Sequence, residues 1–349
     1  MSNLLTPLVE VPPTARFLIV RLSALGDVIL TLPVASALRE RFPQARIAWI
    51  VEERNAPILV GHPAVDEIIA VPRRWYKSWG QIRRIRHTLK ERSFDVALDV
   101  QSLSKSALLA WLSGARFRVG FARPQGRELA PWLATHRVPP SGSHVVEIFL
   151  SLLRVLGIES ARIEFQLFET PEEAEWAQSV LAELELVGRF AVINPGAAWP
   201  CKRWPFDRFS AVAKFLHYAL ALPTLVLWGS QIERTWAEAI VAQAGQGCRL
   251  APPTNLRQMA AILRRASLMI SADTGPLHMA AALGVPCVGL FGPTDPARVG
   301  PYGPGHIAIR AAEYQGRHPR RAPESLMQAI TPEMVCDACT KLLRDRKAA

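Results

Sequence analysis

At 349 residues the chain exceeds one ordinary core and suits two domains, each long enough to bury a substantial hydrophobic centre. Half of the residues are apolar and a fifth are charged, which excludes a disordered chain and places the protein among folded, soluble ones. A formal charge of +11 favours an anionic partner, whether nucleic acid, a phospholipid surface or a phosphorylated substrate, and does not choose among them.

The first fifteen residues contain Glu10, Pro12 and Pro13 and no basic segment ahead of an apolar core, so they read as a loose leader and not a signal peptide. The cytoplasm is the default compartment. No apolar run reaches the roughly 18 residues of a membrane-spanning helix, because Arg21 and Asp27 interrupt the most hydrophobic stretch. Phe17 to Leu22 is an apolar strand, and Val28 to Phe42 follows at helical spacing until Pro43 stops it. Arg46 to Val51 and Ile68 to Val71 read as strands, Ser78 to Arg92 as a basic helix carrying Arg83, Arg84, Arg86 and Lys90, Val96 to Val100 as a strand, and Ser104 to Leu112 as a helix. Such alternation implies parallel βαβ units and a doubly wound α/β sheet.

Between Glu159 and Pro171 the pattern loosens, which divides the chain into domains of residues 1–165 and 166–349. Alternation then restarts. Strands are expected at Phe190 to Asn194, Thr224 to Trp228, Leu268 to Ser271 and Val285 to Phe291. Helices are expected at Pro171 to Leu184, Phe206 to Leu220, Ile232 to Ala244, Leu256 to Arg265 and Leu277 to Leu283, with a last one from about Thr331 to Leu343 before a charged tail.

Ligands of open parallel sheets collect beyond the carboxyl ends of the strands, so the loops there rank the candidates. Asp27 follows the first strand at the mouth of a helix, where an N-cap would also explain it. Asp273-Thr274-Gly275 opens a helix whose free N–H groups favour an anion, with the Thr274 hydroxyl as an added donor; the alternative is that Asp273 or Thr274 only caps that helix. Lys202 supplies a cation in a Pro-, Gly- and Trp-rich loop on the same strand-end side, and His278 lies one turn past Thr274, facing the same ligand or merely packed. The cluster Arg73-Arg74-Trp75-Tyr76-Lys77 suits phosphates or carboxylates, its alternative being a solvated loop with a membrane-facing Trp. Neither a G-x-G-x-x-G after the first strand nor a P-loop is present, and no reader motif supports nucleic acid. The five cysteines suit reduced thiols, and Cys336-x-x-Cys339 is half a zinc site without its other half.

The segments LSALGDVILTLP, GHPAVDEII, RRWYKSW, DVQSLSKSALL, KRWP and SADTGPLHMAAALGVPCVGLFGPTDP, in this order, resemble glycosyltransferase family 9, the lipopolysaccharide heptosyltransferases, and within it the heptosyltransferase I branch. The resemblance runs from about Ala15 to Leu343. It implies a GT-B fold, two Rossmann-like domains facing across a cleft, the N-terminal one binding the acceptor and the C-terminal one the nucleotide sugar. It implies an inverting transfer of heptose from ADP-heptose to the Kdo inner core of lipid A, with no metal and no cofactor, by a cytoplasmic protein held peripherally at the inner membrane. By the same resemblance Asp27 is the general base, Lys202, Asp273, Thr274 and Gly275 meet the diphosphate with His278 close by, Glu233 takes the ribose, and Arg73, Lys77 and Arg127 contact the acceptor. Tyr76 stands where a further basic residue is expected. Heptosyltransferase II, another family 9 transferase, and a non-catalytic nucleotide or anionic-lipid binder are the rival readings.

Overall fold

The computed structural model describes residues 9–316 and 318–348, so residues 1–8 of the loose leader and Ala349 of the tail lie outside the described residues. The chain divides into two compact units, one ending at Phe168 and the other starting at Glu169.

The first unit runs β1 (Arg16–Val20), α1 (Leu25–Arg41), β2 (Arg46–Glu52), β3 (Glu67–Val71), α2 (Trp79–Glu91), β4 (Val96–Asp99), α3 (Ser104–Leu112), β5 (Phe117–Phe121), α4 (Ala130–Leu133), β6 (His136–Val138) and α5 (Val145–Ser151). Its six strands are all parallel, in the order β3-β2-β1-β4-β5-β6. In β1, Phe17, Leu18, Ile19 and Val20 are all fully buried, because a parallel strand at the centre of the sheet is covered on both faces; this is why it reads as an unbroken apolar run. In α2 the Ser78 hydroxyl accepts the Gln81 N–H as an N-cap, and Ile85 and Leu89 seat the helix on the core.

The second unit repeats the plan with α6 (Pro171–Glu183), β7 (Ala191–Asn194), α7 (Phe206–Leu220), β8 (Thr224–Val226), α8 (Gln231–Ala244), β9 (Cys248–Leu250), α9 (Leu256–Arg265), β10 (Leu268–Ala272), α10 (Gly275–Ala282), β11 (Cys287–Leu290), α11 (Pro296–Val299), β12 (His306–Ile309), α12 (Ser325–Gln328) and α13 (Pro332–Ala348). The strand order is β12-β11-β10-β7-β8-β9, again fully parallel. Numbered within each unit, both sheets therefore have the order 3-2-1-4-5-6 of a doubly wound dinucleotide-type fold. The indole of Trp204 donates to the Ile330 carbonyl and buries its ring against Phe209, tying the segment before α7 to the start of α13.

The expected elements form, with two corrections at functional helices. α1 begins at Leu25 and α10 at Gly275, each earlier than hydrophobic periodicity indicates, because their first turns are built from Gly, Asp and Pro. Four strands are additions: β5, β6, β9 and β12, of three to five residues each. They lie toward the sheet margins and carry polar residues such as Arg118, His136, Arg249 and His306, so they lack the apolar run of a central strand.

Candidate functional site

The winding of each sheet reverses between its first and fourth strands, which opens a crevice beyond their carboxyl ends. In the second unit this switch point lies between β7 and β10. Asn194 ends β7, and its amide donates to the Gly196 carbonyl (3.2 Å), Ser271 Oγ (3.0 Å) and Thr274 Oγ1 (3.3 Å), so a buried polar side chain ties the two strand-end loops together. The Thr274 hydroxyl also reaches the Ala272 carbonyl (3.2 Å) and Ser271 Oγ (3.0 Å). This corrects the expectation of a spare Thr274 donor: the hydroxyl is engaged inside the loop. Thr274 occupies the N-cap position of α10 without a capping side-chain bond, and Pro276 has no N–H, so the anion-seeking end of this helix is the backbone at Gly275 and Leu277.

Asp273 is not a cap either. Its Oδ2 receives Lys202 Nζ (2.5 Å) and Thr294 Oγ1 (2.9 Å), while its Oδ1 pairs with His278 Nε2 (3.2 Å). Burial alone would push this carboxyl up, but the hydrogen bond from His278 and the charge of Lys202 outweigh it and hold Asp273 well below the usual carboxylate range. The Lys202 side chain is only 13% exposed and its ammonium lies 4.4 Å from the centre of the Trp199 ring, whose environment also includes Arg320 at 4.8 Å. Lys202, His278 and the α10 N-terminus are thereby collected around one carboxylate, a positively disposed pocket wall that an anionic diphosphate complements. His278 Nδ1 is buried and has no hydrogen-bond partner among the described residues.

Glu233, in the first turn of α8, folds back over the β7 loop. Its carboxylate accepts the Gly229 N–H (2.8 Å), and a Cβ at Gly196 would stand 2.4 Å from Oε1. Glycine at 196 is what lets that carboxylate occupy the strand end.

In the first unit the switch point lies between β1 and β4. Asp27 is at the third position of α1, after an N-cap, Ala24, whose side chain cannot cap; its Oδ2 accepts the Ala24 N–H (3.2 Å) and its Oδ1 pairs with Arg21 (2.8 Å). Asp27 thus closes the first turn as half of a capping box and still remains 44% exposed at the strand end. Arg21 is buried, donates to the Val100 carbonyl (3.2 Å) and lies 4.7 Å from the Phe149 ring centre, its Nε without a partner among the described residues. Two further buried groups complete this end. Gln101 accepts the Leu22 N–H (2.8 Å), and Asp99 accepts the Ser102 N–H (2.9 Å). Burial pushes the Asp99 carboxyl up to about 7, against the hydrogen bond from Ser102 and the charge of Arg21.

Arg73 and Lys77 follow β3, and Arg127 follows β5, strands that lie two places from β1 on either side of it. All three are exposed. Trp75, between Arg73 and Lys77, is buried in the core beneath them, which corrects the alternative of a membrane-facing Trp at that position. Arg21, Asp99, Gln101, Asn194, Ser271 and Thr294 are not assigned a role from the sequence, although Asp99 and Gln101 lie in DVQSLSKSALL and Ser271 and Thr294 in the segment from Ser271 to Pro296; Arg21 and Asp99 at apolar strand ends were the available signal, since a charge there needs a partner. In α13, Cys339 is buried in the core and Cys336 is partly covered, and burial pushes the Cys336 thiol up to about 11, away from thiolate chemistry.

Two doubly wound parallel units make up a GT-B fold, and the cations and free backbone N–H groups at the second switch point suit an anionic ligand. The chain belongs to glycosyltransferase family 9, the heptosyltransferases, whose model matches residues 82–329. It is 34% identical to lipopolysaccharide heptosyltransferase 1 of Pseudomonas aeruginosa over 306 residues, 84% of this chain and 83% of that protein. It is 30% identical to lipopolysaccharide heptosyltransferase 3 of Escherichia coli over 335 residues, 91% and 96% of the two chains. Among solved structures, the Escherichia coli heptosyltransferase WaaC with ADP-2-deoxy-2-fluoro heptose matches with a TM-score of 0.75 at 27% identity, covering 93% of this chain and 99% of that one.

Proposed function

We propose that this glycosyltransferase moves heptose from ADP-heptose to the Kdo inner core of lipid A, at the cytoplasmic face of the inner membrane and without a metal or cofactor. The observation that carries the reading is the cluster of Lys202, His278 and the uncapped α10 N-terminus around Asp273, a built anion site at a nucleotide-type switch point. The 34% identity with the Pseudomonas aeruginosa heptosyltransferase 1 supports this choice of donor and acceptor.

In this mechanism the acceptor hydroxyl loses its proton to Asp27 as its oxygen attacks the anomeric carbon. The bond from that carbon to the β-phosphate oxygen breaks, and the electron pair leaves with ADP. Inversion follows from this single displacement. Asp27 suits the base because it is exposed and held in one place by Arg21 and the Ala24 N–H. Lys202 and the backbone at Gly275 stabilise the charge that develops on the leaving diphosphate. Asp273, ionised and enclosed, serves the reaction by holding Lys202 and His278 and not by touching phosphate, since two anions would repel. Glu233 takes the ribose hydroxyls in this reading, and Arg73, Lys77 and Arg127 supply cations for a carboxylated, phosphorylated acceptor.

Incubation with ADP-heptose and Kdo-lipid A, read by mass spectrometry, should add one heptose to the acceptor and release ADP. No mass gain on this acceptor would overturn the assignment. The exposed Tyr76, placed between Trp75 and Lys77 where a further cation is expected, favours one second reading: a family 9 transferase with another core acceptor, detected by the same assay with heptosylated core.

A further inference from the structure

The positive charge of this protein is concentrated. Between Arg73 and Arg137 stand fourteen Lys and Arg against four Asp and Glu, a local net of +10 out of +11 for the whole chain. Within that segment Trp79, Arg83, Arg86 and Lys90 follow one another along α2 at steps of four, three and four residues, which puts them on one stripe of the helix. Ile82, Ile85 and Leu89, about a quarter turn round the helix from that stripe, pack on the core. All four residues of the outer stripe are exposed, and among the described residues none of its three cations is paired with a carboxylate; the ion pair within α2 is His87 with Glu91.

The neighbouring helices continue this surface. α2 packs beside α3, and α3 beside α4. α3 presents Trp111 at 51% exposure and α4 presents Trp132 at 73%, while Trp79 is 82% exposed. Arg137 lies 5.9 Å from the Trp132 ring centre, so cation and indole are again adjacent. Three exposed indoles among unpaired cations match a bilayer surface on two counts. Anionic headgroups attract the cations, and the indole, apolar with a polar edge, favours the boundary between headgroups and acyl chains. A nucleic-acid duplex, its bases already stacked on one another, would use the charge and leave the indoles in water.

We infer that the surface formed by α2, α3 and α4 docks on an anionic phospholipid bilayer through Trp79, Arg83, Arg86, Lys90, Trp111 and Trp132. The inference rests on the reading of a lipid-anchored acceptor, for which an enzyme held at the bilayer meets its substrate in two dimensions.

The test is sedimentation of the full chain with vesicles of phosphatidylcholine alone, or with about a third phosphatidylglycerol, at roughly physiological salt. The protein should pellet with the anionic vesicles, remain in solution with the neutral ones, and be released as salt rises. The double substitution Arg83→Gln and Arg86→Gln should weaken vesicle binding by roughly thirtyfold, and Trp79→Ala should weaken it without changing the salt dependence. Both variants should keep the wild-type circular dichroism spectrum and the wild-type rate with a de-acylated, water-soluble Kdo acceptor. Equal binding to neutral vesicles, no binding, binding indifferent to the substitutions, or preference for a DNA duplex at the same salt would each overturn the surface. Transfer to the soluble acceptor without vesicle binding sinks the docking surface alone. Vesicle binding without transfer to any core acceptor sinks the transferase assignment and leaves the surface supported.

Discussion

At the switch point of the second sheet Lys202, His278 and Thr294 converge on the Asp273 carboxylate inside the protein, whereas at that of the first the Asp27 carboxylate stands half in solvent on a buried guanidinium. The strand order is the same, and the chemistry differs because the neighbours differ. Asp99 ends β4 of the first unit, and Asp273 directly follows β10, the fourth strand of the second. Burial acts on both. Asp273 has an ammonium and an imidazole in direct contact and is held low, while among the described residues no cation touches Asp99, which is pushed up to about 7. An enclosed, paired carboxylate organises cations, and an exposed one can accept a proton.

The contrast breaks first at Asp27. Asp27→Ala should cut turnover by roughly 10²–10⁴ while ADP binding by calorimetry stays at the wild-type value. Near wild-type turnover would remove Asp27 as the base. On the other side, Lys202→Met should weaken ADP binding by roughly 10- to 150-fold, the size of a lost charge-assisted hydrogen bond. Unchanged affinity would show that the Lys202 and Asp273 pair is structural only.

Arg21 tests what holds Asp27 in place. Arg21→Gln should lower kcat by up to roughly a hundredfold through a misplaced base, leave ADP affinity unchanged, and be partly rescued by Arg21→Lys. In an Asp27→Ala background the same substitution should have little further effect on kcat, a coupling that a general loss of folding would not produce.

The smallest effect concerns Asp99. Its folded pKa lies above its unfolded value, so the folded state binds the extra proton and stability falls as pH rises from about 4 to about 7. Asp99→Asn mimics the protonated form, and its melting temperature should pull ahead of the wild type as pH is raised from 5 to 8, by about 2–4 °C for each kcal/mol relieved. A gap that does not grow with pH would place the stress elsewhere.

Much of this protein is legible before folding. Central strands such as Phe17 to Val20 and Leu268 to Ala272 are buried on both faces and so are written as apolar runs, and the helices between them carry periodicity and caps such as Ser78 and Asn255. The alternation of these elements, with the rule that ligands gather at strand ends, makes Lys202 and the Asp273-Thr274-Gly275 turn candidates, while Asp27 reads equally as an N-cap until the family resemblance is added. The short marginal strands β6 and β9 were not legible, because three residues such as His136-Arg137-Val138 hold no period.

The partners inside the sites were decided only by the tertiary structure. Lys202 meets Asp273 from 71 residues away, Asn194 meets Thr274 from 80, and Arg21 is fixed by the Val100 carbonyl from 79. Local sequence sets which residues stand at a strand's end, because burial and backbone geometry act over a few residues. Which of them is enclosed, which is paired and which remains open to a substrate depends on the strand that arrives beside it, and that is fixed by parallel pairing across the sheet.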